Sequence, residues 1–229
     1  MDRATTAAVV AEGSGALLFF FVGAGAIISG ADLVGVAFAH GLALAVLVSS
    51  LGPVSGGHFN PAVTFAIWIA GRIPTNRAVL YVIAQLVGGL IAGLLLRFVF
   101  PESQWSPSGL GTPALAQGVS RLTGIVVEAV LTMVLVFAVF GTAIDPRAPK
   151  IGGLAIGLAI AADILMGGRI TGAAMNPARW FGTAAAAGKL GDFLVYIIGP
   201  IAGAAIAAGL WRYVFLEEAE PARTPATPA

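Results

Sequence analysis

The sequence predicts an all-α membrane protein with six transmembrane helices and two re-entrant half-helices, arranged as an inverted internal repeat. Three observations carry this. Apolar residues make up 58% of the chain and charged residues 10%, with a mean hydropathy of +0.95, more apolar surface than a water-soluble globule can expose. Six apolar stretches have about the length, roughly 20 residues, that crosses a bilayer core. The tripeptide Asn-Pro-Ala occurs twice, at Asn60-Pro61-Ala62 and at Asn176-Pro177-Ala178.

The offset of 116 between the tripeptides also relates Glu12 to Glu128, Gly41-Leu42-Ala43 to Gly157-Leu158-Ala159, and Ser55-Gly56 to Thr171-Gly172. A register held at so many positions marks a duplicated unit. Repeat one covers about residues 7–100 and repeat two about 122–216, within a single membrane domain of residues 1–216.

The spans are read at about 7–28, 35–51, 78–100, 122–143, 151–166 and 193–215. The first runs on without a cleavage site and has only Arg3 as a basic flank, so it reads as a span rather than a signal peptide. Three crossings per repeat orient the halves oppositely, and their equivalent loops enter the membrane from opposite faces.

Within each repeat, Asn at an N-cap satisfies a free backbone N–H, and Pro at the first helical position gives up an N–H that had no partner. Half-helices are therefore expected at about 61–69 and 177–186, too short for a hydrocarbon core of about 30 Å. Residues 101–120 read as a polar outer loop and 145–149 as a short inner turn. Residues 217–229, beginning Glu217-Glu218-Ala219-Glu220, are expected to form a disordered cytoplasmic tail.

Arg3, Arg72, Arg77, Arg147, Lys150, Arg212 and Arg223 fall on one side of this topology, whereas Arg121 and Lys189 fall on the other. The positive-inside rule then predicts a multi-pass protein of the cell membrane with both termini cytoplasmic. There is no cysteine, hence no disulfide, thiol nucleophile or Cys-ligated metal, and no metal or other cofactor is implied. A net charge of +1 implies no nucleic-acid partner. Two histidines without a converging acid–base set argue against an enzyme. A secondary transporter also uses inverted repeats and broken helices, but it needs coupling carboxylates or hydroxyls at the midplane, where these loops offer amides and alanines.

Irregular backbone at mid-membrane survives only beside buried protein or a water-filled cavity. With the Asn60 and Asn176 oxygens accepting from helix N–H groups, their amide N–H donors remain to bind the oxygen of a passing water. The positive ends of two converging half-helices oppose protons and other cations at the same point. The pattern predicts a passive route for water that excludes protons and ions.

The segments Ser55-Gly56-Gly57-His58-Phe59-Asn60-Pro61-Ala62-Val63-Thr64 and Thr171-Gly172-Ala173-Ala174-Met175-Asn176-Pro177-Ala178-Arg179 resemble the two signature loops of the aquaporin, or major intrinsic protein, family. The similarity covers about residues 12–213; Glu12 and Glu128 fit the family's buried glutamates, and Gln85 and Pro200 its marks on the third and sixth spans. The resemblance implies the aquaporin-like fold, a channel domain and a homotetramer in the lipid bilayer with one pore per subunit. Support of the loops by Glu12 and Glu128 follows from it as well.

Alignment on the motifs places the family's constriction at His40, Ile164, Ala173 and Arg179. Arg179 is always charged and offers fixed donors to a water or carbonyl oxygen. Strict water channels typically have Phe in the place of His40 and His in that of Ile164; this quartet instead resembles plant tonoplast intrinsic proteins, which also pass ammonia, urea or hydrogen peroxide. The outer loop lacks the His that some of those relatives use for ammonia. Glycerol facilitators, the alternative reading, carry Asp after the filter Arg and water channels Ser; Trp180 matches neither, and Tyr196-Ile197 replaces an aromatic pair.

Three further residues receive structural readings. His58 is expected to pack and hydrogen-bond at the cytoplasmic vestibule rather than gate. Asp163 is expected to form an ion pair with Arg169 at the outer mouth. Gly88-Gly89, Gly93, Gly199 and Gly203 read as close helix contacts.

Overall fold

A computed structural model describes residues 1–149 and 151–216; Lys150 and the tail 217–229 lie outside the described residues. Nine α-helices and no strands occur among the described residues: α1 Arg3–Ile28, α2 Leu33–Ser55, α3 Pro61–Ile69, α4 Thr75–Val99, α5 Glu102–Ser108, α6 Arg121–Val139, α7 Gly152–Gly167, α8 Pro177–Ala187 and α9 Phe193–Leu210.

Side-chain caps start the helices where short polar residues stand before apolar runs. Asp2 accepts from Thr5 N at 2.7 Å, Asp32 from Gly35 N at 2.7 Å and Ser120 from Thr123 N at 3.1 Å. At its other end α2 stops on Gly56, whose φ of 99° is left-handed and suits glycine.

Five helices are long and apolar enough to span a bilayer: α1, α2, α4, α6 with its extension to Ile144, and α9 with its extension to Phe215. The sixth expected span, α7, is a shorter apolar helix of 16 residues. Both extensions are single π-helical turns, Phe140–Ile144 and Trp211–Phe215, which the periodicity does not reveal. They pack on one another, with Trp211 stacked on Phe140 at 6.0 Å between ring centroids.

α1 lies against α4 and α6 against α9, while α2 and α7 meet across the repeats. In lipid no hydrophobic drive separates helix–helix from helix–lipid contact, so close backbone approach through small residues does the packing. A Cβ on Gly41 would stand 2.6 Å from the Gly157 carbonyl oxygen, and one on Gly157 would strike the Gly41 carbonyl in return. Gly88 and Gly203 admit the backbones of Gly13 and Ala129 in the same way. Outward-facing Val79, Ile83, Val87, Val126 and Val130 form the exposed apolar belt expected of a surface in hydrocarbon.

The segment 101–120, read from the sequence as a polar outer loop, is partly structured. It contains α5, buries Leu110 completely and folds over one mouth of the bundle, where Ala116 N donates to Ile170 O at 2.9 Å.

Candidate functional site

Two loops, 56–60 and 171–176, enter the bundle and end on the N-termini of α3 and α8. Their backbones turn sharply: φ is positive at Gly56, Gly57 and Phe59 and again at Gly172, Ala173 and Met175. Holding Phe59, Ala173 and Met175, which are not glycines, in that region needs support from outside the loops.

The support is duplicated. Glu12, fully buried, accepts from Ser55 Oγ at 2.7 Å, His58 N at 2.9 Å and Phe59 N at 2.7 Å. Glu128 accepts from Thr171 Oγ1 at 2.6 Å, Ala174 N at 3.0 Å and Met175 N at 2.6 Å. Gln85 Nε2 bridges Glu12 Oε2 at 2.7 Å and Thr64 Oγ1 at 2.9 Å. His58 Nδ1 lies 3.1 Å from that same Thr64 oxygen, and its ring meets Tyr81 edge-on.

Asn60 Oδ1 accepts from Ala62 N at 2.8 Å and Asn176 Oδ1 from Ala178 N at 3.0 Å, so each asparagine caps its own half-helix. Each amide nitrogen then crosses to the other loop: Asn60 Nδ2 donates to Met175 O and Asn176 Nδ2 to Phe59 O, both at 2.9 Å. This corrects the expectation that both donors of each amide stay free. One of the two is used between the loops, leaving one per asparagine for a permeant oxygen.

Asn60 and Asn176 line a narrow inner cavity with Phe19, His58, Val63 and Ile160; the space open to the centre of a water is ≈ 10 Å³, room for about one water. Toward the mouth covered by 101–120 lies a wider cavity of ≈ 430 Å³, lined by Val36, Gly111, Thr112, Ile164, Gly172 and Arg179 among others.

Arg179, Ile164, Ala173 and His40 are all buried near this junction. Arg179 Nη1 donates to Gly111 O at 3.0 Å, and its Nη2 lies 3.3 Å from His40 Nε2. The opposite ring nitrogen, His40 Nδ1, is 2.9 Å from Val36 O. A carbonyl can only accept, so Nδ1 carries the proton and Nε2 presents a lone pair to the guanidinium. Arg179 is thus held to one side, with remaining N–H donors available, while Ile164 and Ala173 add apolar surface.

Trp180, which follows the arginine, lines neither cavity. It stacks on Tyr196 at 5.5 Å in a separate cluster with Ala174, Ala184 and Val195.

The expected Asp163–Arg169 pair does not form: Asp163 is buried, Arg169 is exposed, and no ion pair joins them. Neighbours on a helix surface stand three or four residues apart, and these are six apart with α7 ending at Gly167 between them.

A family model described as Major intrinsic protein matches residues 2–211. The chain belongs to that family. As a major intrinsic protein it is a membrane channel, not an enzyme, and passes water and some small neutral solutes. It is 42% identical over 230 residues to Aquaporin TIP4-4 of Zea mays, covering 95% of this chain and 90% of the maize protein. It is 47% identical over 187 residues to Probable aquaporin TIP3-2 of Arabidopsis thaliana, covering 80% of this chain and 68% of that protein. The X-ray structure of the aquaglyceroporin from Plasmodium falciparum matches with a TM-score of 0.81 over 92% of this chain and 96% of that one; at 20% identity the likeness concerns the fold alone.

Sequence reasoning missed three structural roles in this major intrinsic protein. The Tyr81 and Tyr196 hydroxyls donate to Ser55 O at 2.7 Å and Thr171 O at 2.8 Å, fastening the start of each loop. They are 115 apart, as are Gln85 and Pro200, so a search at one fixed offset passes over them. Gly111 acts through its carbonyl, which its identity does not announce.

Proposed function

We propose that water crosses this channel in single file past Asn60 and Asn176, and that His40, Ile164, Ala173 and Arg179 form its selectivity filter. The observation that carries the reading is the pair of crossed amide bonds beside a one-water cavity. A water whose two lone pairs are both taken by the asparagine N–H groups cannot accept from its neighbours in the file, which breaks the proton relay, and the converging α3 and α8 dipoles raise a barrier to cations at the same place.

At the filter, Arg179 donors and the apolar Ile164 and Ala173 surface suit small neutral solutes with one polar side, namely ammonia, hydrogen peroxide and urea beside water. Glu12 and Glu128 act as loop supports, each ordering one re-entrant segment. The subunit works in a homotetramer in the cell membrane with both termini in the cytoplasm, a topology supported by Arg72, Arg77, Arg147 and Arg212 lying on one side.

The test is solute passage into liposomes holding the purified protein, driven by equal osmotic gradients of urea, hydrogen peroxide or methylamine. Faster entry than in empty liposomes, abolished by Ala173→Trp, supports the filter. Entry that saturates or follows an ion gradient defeats the channel reading in favour of a transporter.

A further inference from the structure

Asp163 stands on α7 one residue before Ile164 and is 3% exposed. Among the described residues its Oδ2 is sealed from solvent and has no hydrogen-bond partner. Buried polar groups are nearly always partnered, and an ionised carboxylate left bare in an apolar interior is among the costliest arrangements available.

The surroundings offer no neutralising charge. On α6, packed against one side of α7, the ionisable groups are Arg121 and Glu128; Arg121 is engaged by Asp192 at 2.7 Å. Glu128 lies within electrostatic reach of Asp163 and is itself fully buried. On α2, packed against the other side, the ionisable group is His40, whose ring nitrogens face Val36 O and Arg179. The π-turn Phe140–Ile144 contributes none. Arg169, beyond the end of α7, is exposed and unpaired with Asp163.

Two carboxyl groups therefore share one interior, with opposite surroundings. Glu128 takes three donors from the second pore loop, all of which require an acceptor. Asp163 takes none. When two carboxyls interact and only one is solvated by fixed donors, the proton resides on the other.

We propose that Asp163 is a protonated, neutral carboxyl that positions the second pore loop by leaving Glu128 as the single negative charge behind residues 171–175. Gly167, one turn further along α7, lies where a Cβ would stand 2.5 Å from Leu131 of α6 and 3.4 Å from the loop residue Ala173, so a charge entering this interface acts on the filter wall. Ionising Asp163 sets a second negative charge against Glu128 and loosens the hold on Ala174 and Met175.

The test combines infrared spectra of the protein in liposomes with water permeability across a pH series, for the native chain, Asp163→Asn and Asp163→Ser. The expected result is a protonated-carboxyl absorption at neutral pH that both variants lack. On alkalinisation it should vanish in the native protein together with a several-fold fall in permeability, whereas Asp163→Asn stays flat. Absence of the absorption in the native protein, its persistence in both variants, or a permeability fall shared by Asp163→Asn overturns the proposal. The spectrum decides the protonation state whether or not the protein conducts, which separates this inference from the channel reading on which its permeability arm rests.

Discussion

Asn60 donates from Nδ2 to the carbonyl oxygen of Met175 at 2.9 Å, the mirror image of the bond from Asn176 to Phe59. The loops of the two repeats are therefore tied directly to each other, each side-chain amide acting as cap and cross-link together. Asn60→Asp keeps the cap but sets a carboxylate oxygen against the Met175 carbonyl, leaving a buried acceptor unpaired at a cost of about 1–3 kcal/mol. Water permeability should fall and proton leak, read with an entrapped pH dye, should rise. Tight proton exclusion in Asn60→Asp would contradict the assigned role of the amide.

Glu128 orders three donors of the second loop. In Glu128→Ala they lose their acceptor, each buried donor left unpaired costing about 1–3 kcal/mol. A thermal melt in detergent should move down by several degrees, and water passage should fall with it. A melt unchanged from the native protein would remove Glu128 from the support of this loop.

Arg179 and His40 face each other at 3.3 Å. Arg179→Ala removes the buried guanidinium and widens the passage, so urea and glycerol entry into liposomes should rise well above native levels while water flow persists. Glycerol and urea entry no faster in Arg179→Ala than in the native protein would place the filter elsewhere.

The glycine contacts of α2 and α7 yield a stability comparison. Gly157→Ala overpacks a site where the Gly41 backbone leaves no room for a Cβ, for a cost of about 1–3 kcal/mol. Gly209, on α9, has open space around it, and Gly209→Ala should be neutral or stabilising by up to about 1 kcal/mol. Equal melting temperatures for the two variants would count against the packing account.

At the inner turn, Asp145 accepts from Arg147 N and Nη2, both at 2.8 Å, and Arg147 Nη2 also donates to Phe215 O at 2.7 Å. The Arg147 hydrogen bonds hold the Asp145 carboxyl below the usual carboxylate range. A depressed value means that its contribution is present above the ordinary pKa and lost as pH falls through the lower, folded one. Protection of the turn amides, taken relative to the intrinsic exchange rate at each pH, should therefore be unchanged across neutral pH and fall only in acid; loss of protection near neutrality would contradict this.

The paired loops were legible because each residue meets a backbone need that few others meet: asparagine to cap, proline to open a helix, a buried glutamate to receive loop N–H groups. Their repetition at one offset made them stand out from ordinary turns. Tyr81 and Tyr196 escaped because the register slips by one residue in the third span of each repeat. The Gly111 carbonyl and the crossed amide bonds escaped because they depend on how separate loops meet. The Asp163–Arg169 pairing failed because closeness along the chain is not closeness around a helix.

The most direct test of the account is stopped-flow light scattering of liposomes containing the purified protein after a sudden step in external osmolality, repeated at several temperatures. Fast shrinkage with a low activation energy is the result predicted for water passing an open, one-water-wide pore. Shrinkage no faster than in empty liposomes, at the high activation energy of bare lipid, would contradict it.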